Sequence, residues 1–334
     1  MKKLNRGTGG AKPFGTNESL HMTTGALSMV TNTTTTSKIT HISDTALWVA
    51  VYRAMETKRK DALFHDPYAE LLAGKRGKQI VENLKDGKAS AWSMIVRTVV
   101  LDEFVYKVIK EDGVDTVVNL AAGLDTRPYR LELPPSLRWI EVDLPDILTY
   151  KEQKLADAKP RCSLERVRLD LTDPAARKKF FERINRDSKR VLVITEGLLV
   201  YLTQEDVATL ASDLYSQPNF RWWIMDLLSP VLLDWLKKRS FKQFTEGNVK
   251  MHFAPDGGAD FFKPFGWKAD DLRSVAKEAR RLKREMPRAW LYRLMSPLAS
   301  KKQREFYSKM DLYFVLLNRD NMAKPHENRL SEAA

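Results

Sequence analysis

The 334-residue sequence contains one cysteine, five histidines and no long apolar run. A single cysteine excludes a disulfide scaffold and is typical of a reducing compartment, so we predict a cytoplasmic protein. Apolar runs such as Val191–Thr195 are far shorter than the roughly 20 residues that span a bilayer. No apolar stretch follows Met1-Lys2-Lys3, so we expect neither a signal peptide nor a membrane span.

The sequence also lacks the motifs of several enzyme classes. No close group of His and Cys residues indicates a metal site. No Gly-x-Ser-x-Gly elbow and no phosphate-binding loop is present. Fifteen Gly and fifteen Pro are too few for a collagen-like or low-complexity chain. A hydrophobic fraction of 43% is enough for a packed core, so we predict a globular protein without a metal.

Basic residues exceed acidic ones, 56 against 43, giving a formal charge of +13. Such a charge suits an anionic partner, although a soluble basic protein is the more ordinary interpretation. Part of the excess lies in one block, which on a helix would surround the axis and form no single stripe. The block consists of Arg273, Lys277, Arg280, Arg281, Lys283, Arg284 and Arg288.

Composition and periodicity divide the chain into four parts. Residues 1–38, rich in Gly, Thr, Ser and Asn, are typical of a disordered tail. Residues 39–113 predict a helical cap, with helices from Ser43-Asp44, over Tyr68–Leu72 ending at Gly74, and over Ala91–Lys110. Residues 114–320 predict the core, with a lid insertion at about 229–266. Residues 321–334 predict a second tail.

Short apolar segments alternate with helical ones in the core. This alternation predicts an α/β fold with a mainly parallel sheet and helices on both faces. Right-handed connections then bring the carboxyl ends of the strands to one edge, where ligands bind. The predicted strands are 114–120, 137–142, 164–169, 191–195, 220–228 and 311–318.

Four predicted strands end in small or acidic residues: Gly123, Asp143, Asp170 and Glu196. A glycine after the first strand lets the backbone approach a ligand closely. A carboxylate about 20 residues further on can accept both hydroxyls of a ribose, and Asp143 stands at that distance. Asp170 could hold an adenine amino group. Capping of the next helix is the alternative role for each acidic residue.

The glycine pattern separates two kinds of nucleoside ligand. Ala121-Ala122-Gly123-Leu124-Asp125-Thr126 lacks two of the three glycines that seat a pyrophosphate. Asp125 would repel a diphosphate and suit a cationic ligand. S-adenosylmethionine carries a sulfonium and an ammonium and no phosphate. The residues therefore favour this methyl donor over NAD.

Several segments together resemble the leucine carboxyl methyltransferase family, and best its bacterial branch of S-adenosylmethionine-dependent O-methyltransferases. Their order and spacing hold from about Ser43 to Asp226. The segments are Thr45-Ala46 with Val49-Ala50, Arg53-Ala54 and Glu56; Leu63–Ala69; Val118–Arg127; Glu141–Pro145; and Thr195–Leu202. Phe262–Trp267 resembles a further segment.

The resemblance implies a class I methyltransferase (Rossmann-like) fold with an added N-terminal helical cap and S-adenosylmethionine as cofactor. It also assigns residues to the cofactor. Gly123 lies at its methionine end, next to Ala121, where the family usually has Gly. Asp143 binds the ribose, Asp170 with Leu171 frames the adenine, and Glu196 lies near the amino group. Arg97 pairs with the carboxylate, and Arg53 occupies a second such position.

The leading hypothesis is a methyltransferase that acts on a carboxyl or hydroxyl group of a small-molecule acceptor. A carboxylate acceptor needs no base, whereas a hydroxyl acceptor does. No histidine can be assigned as that base, and Tyr201 is more simply a core tyrosine with a satisfied hydroxyl. Two alternatives remain: an RNA or protein acceptor, suggested by the basic block, and a non-catalytic S-adenosylmethionine-binding protein, suggested by Ala121.

Overall fold

The computed structural model describes residues 43–84, 87–239, 250–295 and 300–319. The predicted tails at 1–38 and 321–334 lie outside these residues, as does part of the predicted lid. Within the described residues, no helix has the length and apolarity needed to cross a bilayer.

Helices and strands alternate along most of the described chain. The strands are β1 (Thr116–Leu120), β2 (Arg138–Asp143), β3 (Ser163–Arg168), β4 (Val191–Thr195), β5 (Phe220–Leu228), β6 (Trp267–Ser274) and β7 (Leu312–Arg319). The α-helices are α1 (Ser43–Thr57), α2 (Ala69–Asn83), α3 (Ala91–Glu111), α4 (Arg127–Arg130), α5 (Pro145–Lys154), α6 (Pro174–Asp187), α7 (Gln204–Tyr215), α8 (Pro230–Arg239), α9 (Val275–Arg281), α10 (Ala289–Met295) and α11 (Lys301–Lys309). Short 3-10 helices cover Lys88–Ser90, Leu199–Tyr201 and Gly258–Phe265.

The strands form one seven-stranded sheet in the order β3-β2-β1-β4-β5-β7-β6. β3, β2, β1, β4 and β5 are parallel to their neighbours. β7 runs antiparallel to both β5 and β6. The carboxyl ends of β3, β2, β1 and β4 therefore lie side by side at one edge of the sheet.

Apolar side chains cover both faces of this sheet. On one face α6 and α7 contribute Phe181, Ile184 and Leu210 to a cluster with Val118 and Val193. On the other face α3 and α9 pack against alternate residues of the same strands. Every residue of β1 and of β4 is buried. Strands that are covered on both faces are apolar at nearly every position, which explains the largely apolar sequences of these two strands. The predicted three-layer α/β fold is confirmed.

The first two helices pack on each other beside the sheet, in an apolar cluster that includes Leu47, Leu72 and Ile80. The helix predicted to end at Gly74 does break there, since Gly74 has a non-helical φ of +57°. A second helical stretch, which was not predicted, follows the kink and extends α2 to Asn83. The second half of α2 packs closely on α1, because Gly77 has no side chain. A Cβ at this position would lie only 2.9 Å from the Leu47 carbonyl oxygen.

The six predicted strands coincide with β1–β5 and β7 to within two residues at each end. β6 was missed because its sequence, Trp-Lys-Ala-Asp-Asp-Leu-Arg-Ser, is polar. The strand lies at the edge of the sheet, and only its terminal residues Trp267 and Ser274 are buried. The basic block is not a single helix, since it begins at the end of β6, runs through α9 and continues beyond it.

Candidate functional site

The turn after β1 is joined to the end of β2. The backbone N–H of Gly123 donates a 2.6 Å hydrogen bond to Oδ2 of Asp143, and the N–H of Leu144 donates to Oδ1 at 2.8 Å. Each carboxylate oxygen keeps a further lone pair. Burial raises the pKa of Asp143, while the two backbone N–H groups lower it in part. Asp143, the predicted ribose-binding residue, thus has its carboxylate held in one orientation by the backbone N–H groups of Gly123 and Leu144.

Ala121 opens this turn with a φ of +54°. An L-residue in this left-handed region costs roughly 1–2 kcal/mol, which glycine avoids. This backbone strain explains why the family that the sequence resembles usually has Gly at the position of Ala121. The alanine nevertheless adopts the conformation that the turn requires.

The end of β3 is more exposed than the ends of β2 and β4. Asp170 is exposed, and its Oδ1 accepts hydrogen bonds from the backbone N–H and the hydroxyl of Thr172 at 2.9 and 2.7 Å. The side chain of Leu171 packs against the core. Asp170 therefore stabilises its own turn, and the predicted adenine contact stays a prediction.

Glu196 directly follows β4, Asp226 lies in the adjacent strand β5, two residues before its end, and both pair with Arg97 of α3. Nε of Arg97 lies 3.0 Å from Oε1 of Glu196, and its Nη1 lies 3.2 Å from Oδ2 of Asp226. Although Nε is close to Glu196, its N–H is buried without a well-aligned acceptor. The cluster thus combines two carboxylates with a cation that still has one donor to offer.

Gly197 makes room for this arginine. Its backbone N–H donates to Oδ1 of Asp226 at 2.6 Å. Its φ is +66°, and a Cβ added there would lie 3.2 Å from Nη1 of Arg97. The Glu-Gly pair after β4 therefore places a carboxylate and leaves space for its counter-ion.

Arg127, at the start of α4, was missed by the sequence analysis. Its guanidinium is almost fully buried and contacts three carboxylates: Asp102 at 2.7 Å, Asp125 at 3.0 Å and Glu196 at 2.7 Å. Asp102 also pairs with Arg130 at 2.6 Å. The network joins α3, the turn after β1 and the end of β4. The available signal was an arginine two residues after Asp125, inside the segment that carries the family resemblance.

Asp125 has a role different from the one expected. Its Oδ2 accepts from the side chain of Asn119 at 2.8 Å and from Arg127, and its Oδ1 accepts from the Arg127 backbone N–H. Burial disfavours its ionised form, but the Arg127 guanidinium overcomes this and lowers the pKa of Asp125. The carboxylate is therefore engaged within the protein, and its repulsion of a diphosphate is weaker than we expected. Asp226 was also missed, because it stands inside a strand that looked wholly apolar.

Arg53 is buried between the cap and the β1 turn. Its Nε pairs with Asp66 at 2.8 Å, and its Nη2 donates to the Leu124 carbonyl at 2.6 Å. Thr126 donates to the same Asp66 oxygen at 2.6 Å. These contacts hold α1 against the turn after β1. Two guanidinium nitrogens of Arg53, Nε and Nη2, are therefore engaged within the chain. Its predicted contact with a ligand carboxylate stays a prediction.

The remaining candidate side chains are placed as follows. Tyr201 hydrogen-bonds the side chain of Thr45, and burial raises its pKa, so it is a satisfied tyrosine rather than a phenolate. His65 and His252 are exposed. Cys162 is buried immediately before β3, and burial raises the pKa of its thiol to about 11. Among the described residues, no group of three or more His, Cys, Asp or Glu side chains is arranged to hold a metal ion.

Much of the basic block is neutralised by acidic partners. Arg273 and Arg281 both pair with Glu103 of α3. Arg284 is buried and pairs with Glu56 of α1 at 2.8 Å. The block thus contributes to the packing of the cap and of α3, which removes part of the charge that suggested a nucleic-acid or protein acceptor.

The sheet order and the polar residues at its carboxyl edge define a class I methyltransferase fold. Two solved structures share it. A DUF574 family protein from Streptomyces avermitilis superposes with a TM-score of 0.54 at 17% identity, over 82% of this chain and 97% of that one. A provisionally named methyltransferase from Thermobifida fusca superposes with a TM-score of 0.52 at 16% identity, over 85% and 96% of the two chains.

The sequence profile of the leucine carboxyl methyltransferase family matches residues 46–214, so this chain belongs to that family. A relative from Parafrankia sp. is 36% identical over 55% of this chain and 63% of its own length. One from Mycolicibacterium smegmatis is 30% identical over 69% of this chain and 84% of its own. Both are provisionally named S-adenosyl-L-methionine-dependent methyltransferases. The match covers less than two thirds of the Parafrankia relative. The predicted family is confirmed.

Proposed function

We propose that this chain is an S-adenosylmethionine-dependent methyltransferase that methylates a carboxyl or hydroxyl oxygen of a small-molecule acceptor. Support for the reaction class comes from the family, from the fold, and from the names of the relatives, which agree with the sequence-based expectation. The observation that carries the proposal is the pair of polar clusters at neighbouring strand ends. One is Asp143 with Gly123, and the other is Glu196 with Arg97.

The polar atoms of these clusters suit the proposed cofactor. Asp143 has free lone pairs for the two ribose hydroxyls. The anionic Glu196 suits the cofactor's ammonium. Nε of Arg97, buried without an aligned acceptor, would gain one from the cofactor's carboxylate, which an arginine binds strongly. The cap closes over the turn, since a Cβ on Gly123 would lie 3.3 Å from Cβ of Ala46. When bound, the cofactor supplies a methyl group on a sulfonium.

The protein's own part in the reaction would be orientation and exclusion of water, because an activated methyl donor needs little further chemistry. Glu196 is a weak base: burial disfavours its ionisation, but Arg127 and Arg97 lower its pKa. Tyr201 is held protonated by burial. An acceptor that is already ionised needs no base. These features support a carboxylate acceptor more than a hydroxyl acceptor.

The test begins with calorimetric titration of the purified chain with S-adenosylmethionine, with NAD in a parallel experiment. We expect micromolar binding of the methyl donor and none of NAD. Asp143→Ala should abolish this binding. Asp146→Ala, an exposed carboxylate on the next helix, is the matched control and should bind like the wild type. Equal binding by Asp143→Ala would reject the assigned site.

The second stage follows formation of S-adenosylhomocysteine with panels of carboxylic acids, alcohols and phenols. Turnover limited to carboxylic acids would support the acceptor class favoured here. Turnover limited to hydroxyl compounds would require a base that we have not identified. Cofactor binding without product over all panels would favour the non-catalytic alternative.

A further inference from the structure

The connection between β6 and β7 is unusually long for two paired antiparallel strands. Such strands are commonly joined by about 2–5 residues, whereas this connection runs from 275 to 311 and contains α9, α10 and α11. We call the described residues 286–295 and 300–309, which include α10 and α11, the β6–β7 arm.

The arm exposes large apolar side chains. In the described part of the chain, nine large hydrophobic residues are exposed, and seven of them belong to the arm. They are Met286, Trp290, Leu291, Leu294, Met295, Phe306 and Tyr307, with Trp290 at 62% and Leu294 at 68% exposure. The other two, Leu71 and Leu272, lie elsewhere. Clustered apolar exposure of this kind marks an interaction surface.

The apolar residues are grouped by helix geometry. In α10, Trp290, Leu291, Leu294 and Met295 lie on one face, because residues four apart in a helix are stacked. In α11, Phe306 and Tyr307 contact each other, with ring centroids 5.5 Å apart. Lys301 lies largely opposite this pair, whereas Lys302 and Lys309, four residues before and three after Phe306, flank it. Both helices therefore combine an apolar face with basic residues.

The arm is also strongly basic. It contains six Lys or Arg residues and one acidic residue, Glu305. Lys302, Arg304 and Lys309 form no ion pair with any other described residue, in contrast to the paired arginines nearer β6. Their charge is therefore available to an anionic partner.

We propose that the β6–β7 arm binds an anionic lipid surface, with Trp290 and Leu294 entering the interfacial region and the lysines of α11 contacting lipid headgroups. Helices with aromatic and aliphatic residues on one face and Lys or Arg on the other bind in this way. Exposed Leu and Met side chains gain little from a nucleic acid, which is bound through phosphate contacts and base stacking. Two copies of the arm would repel each other by their like charges.

The experiment measures co-sedimentation of the full chain with vesicles of phosphatidylcholine alone and of equimolar phosphatidylcholine and phosphatidylglycerol. We expect binding to the anionic vesicles only, weakened by added salt. Lys302→Gln/Lys309→Gln should reduce partitioning about thirty-fold, since each basic residue near the surface contributes about a factor of five. The matched control is Lys178→Gln/Lys179→Gln, an exposed lysine pair on α6, and should partition like the wild type.

The apolar face has its own test. Trp290→Ala/Leu294→Ala should weaken binding to anionic vesicles at least about tenfold, from the apolar area lost. Leu71→Ala/Leu272→Ala, which removes the two exposed leucines outside the arm, should not. Circular dichroism of each variant checks that the fold is kept.

Three outcomes would overturn the proposal. One is failure of the wild type to sediment with anionic vesicles. Another is salt-sensitive binding to a single-stranded RNA oligonucleotide without vesicle binding. The third is self-association in sedimentation velocity that Trp290→Ala/Leu294→Ala abolishes, again without vesicle binding. Vesicle binding needs no cofactor, so the result is independent of the proposed methyltransferase function.

Discussion

Nη1 of Arg127 lies 2.7 Å from Oε2 of Glu196, and this ion pair joins the start of α4 to the end of β4. The arginine side chain is 2% exposed, so the pair is shielded from solvent and salt. The same guanidinium contacts Asp102 and Asp125. Glu196 is therefore oriented by a residue whose other partners lie on α3 and in the turn after β1.

Replacement of Arg127 by methionine should be strongly destabilising. It leaves buried carboxylates without their counter-ion, and the loss of one partner from a buried ion pair costs about 3–5 kcal/mol. The free energy of unfolding from urea titration is the measurement. Arg183→Met is the matched control, because Arg183 pairs with Glu165 at the surface and such pairs contribute only about 0–1 kcal/mol. Equal losses for both variants would contradict the stabilising role of the buried network.

Gly197→Ala should weaken cofactor binding in addition to stability. The new methyl group would lie 3.2 Å from Nη1 of Arg97, and the φ of +66° adds backbone strain. Gly258→Ala separates the two effects, because Gly258 also has a positive φ, +54°, but has nothing within 4 Å of the added Cβ. Both variants should lose roughly 1–2 kcal/mol of stability. Only Gly197→Ala should bind S-adenosylmethionine more weakly by calorimetry, and unchanged binding would show that Arg97 tolerates the displacement.

Ala121→Gly should raise stability, in contrast to most core substitutions. The φ of +54° at Ala121 is strained for alanine and unstrained for glycine, which is expected to contribute about 1 kcal/mol. Thermal unfolding measures the change. At the neighbouring buried Ala122 the same substitution should instead lose about 0.5–1 kcal/mol, because glycine there only increases the freedom of the unfolded chain. Destabilisation by both substitutions would show that the turn is not strained.

The strand-end residues were predictable, whereas their partners were not. Asp143 and Glu196 follow short buried strands, and the parallel topology puts such ends at one edge. The sequence positions of Arg97 and Asp226, by contrast, are 129 residues apart. Only the packing of α3 on the sheet brings them together. β6 was missed for a related reason, since an edge strand with polar residues has no apolar pattern to detect.

The partners of Arg53 in the cap were equally unpredictable from the sequence. The family resemblance assigned Arg53 to a ligand carboxylate, which stays a prediction, and the structure shows Asp66 and the Leu124 carbonyl as its partners within the chain. Sequence reasoning found an arginine beside a predicted ligand site. It could not decide between a ligand and an internal partner, because that choice depends on which carboxylate the folded cap brings closest.

Stability should decrease on acidification, and the decrease should begin near the ordinary pKa values of the carboxyl groups. Burial disfavours ionisation of Asp66, Asp125 and Glu196, but their arginine partners overcome it and lower each pKa from the ordinary value of 3.8 for Asp or 4.5 for Glu. A carboxyl group with a pKa lower in the folded than in the unfolded state takes up its proton first in the unfolded state. Its stabilising contribution is complete above the unfolded pKa and is lost as the pH falls through the folded one.

Urea unfolding at a series of pH values should therefore show a constant free energy of unfolding above about pH 5 and a steep decrease below about pH 4.5. Asp112, Asp143 and Asp311, whose pKa values burial raises, oppose this trend. Asp61, Glu70 and Asp170, whose pKa values are also lowered, add to it. A free energy that rises on acidification below pH 4.5 would mean that the arginines do not hold their carboxylate partners ionised.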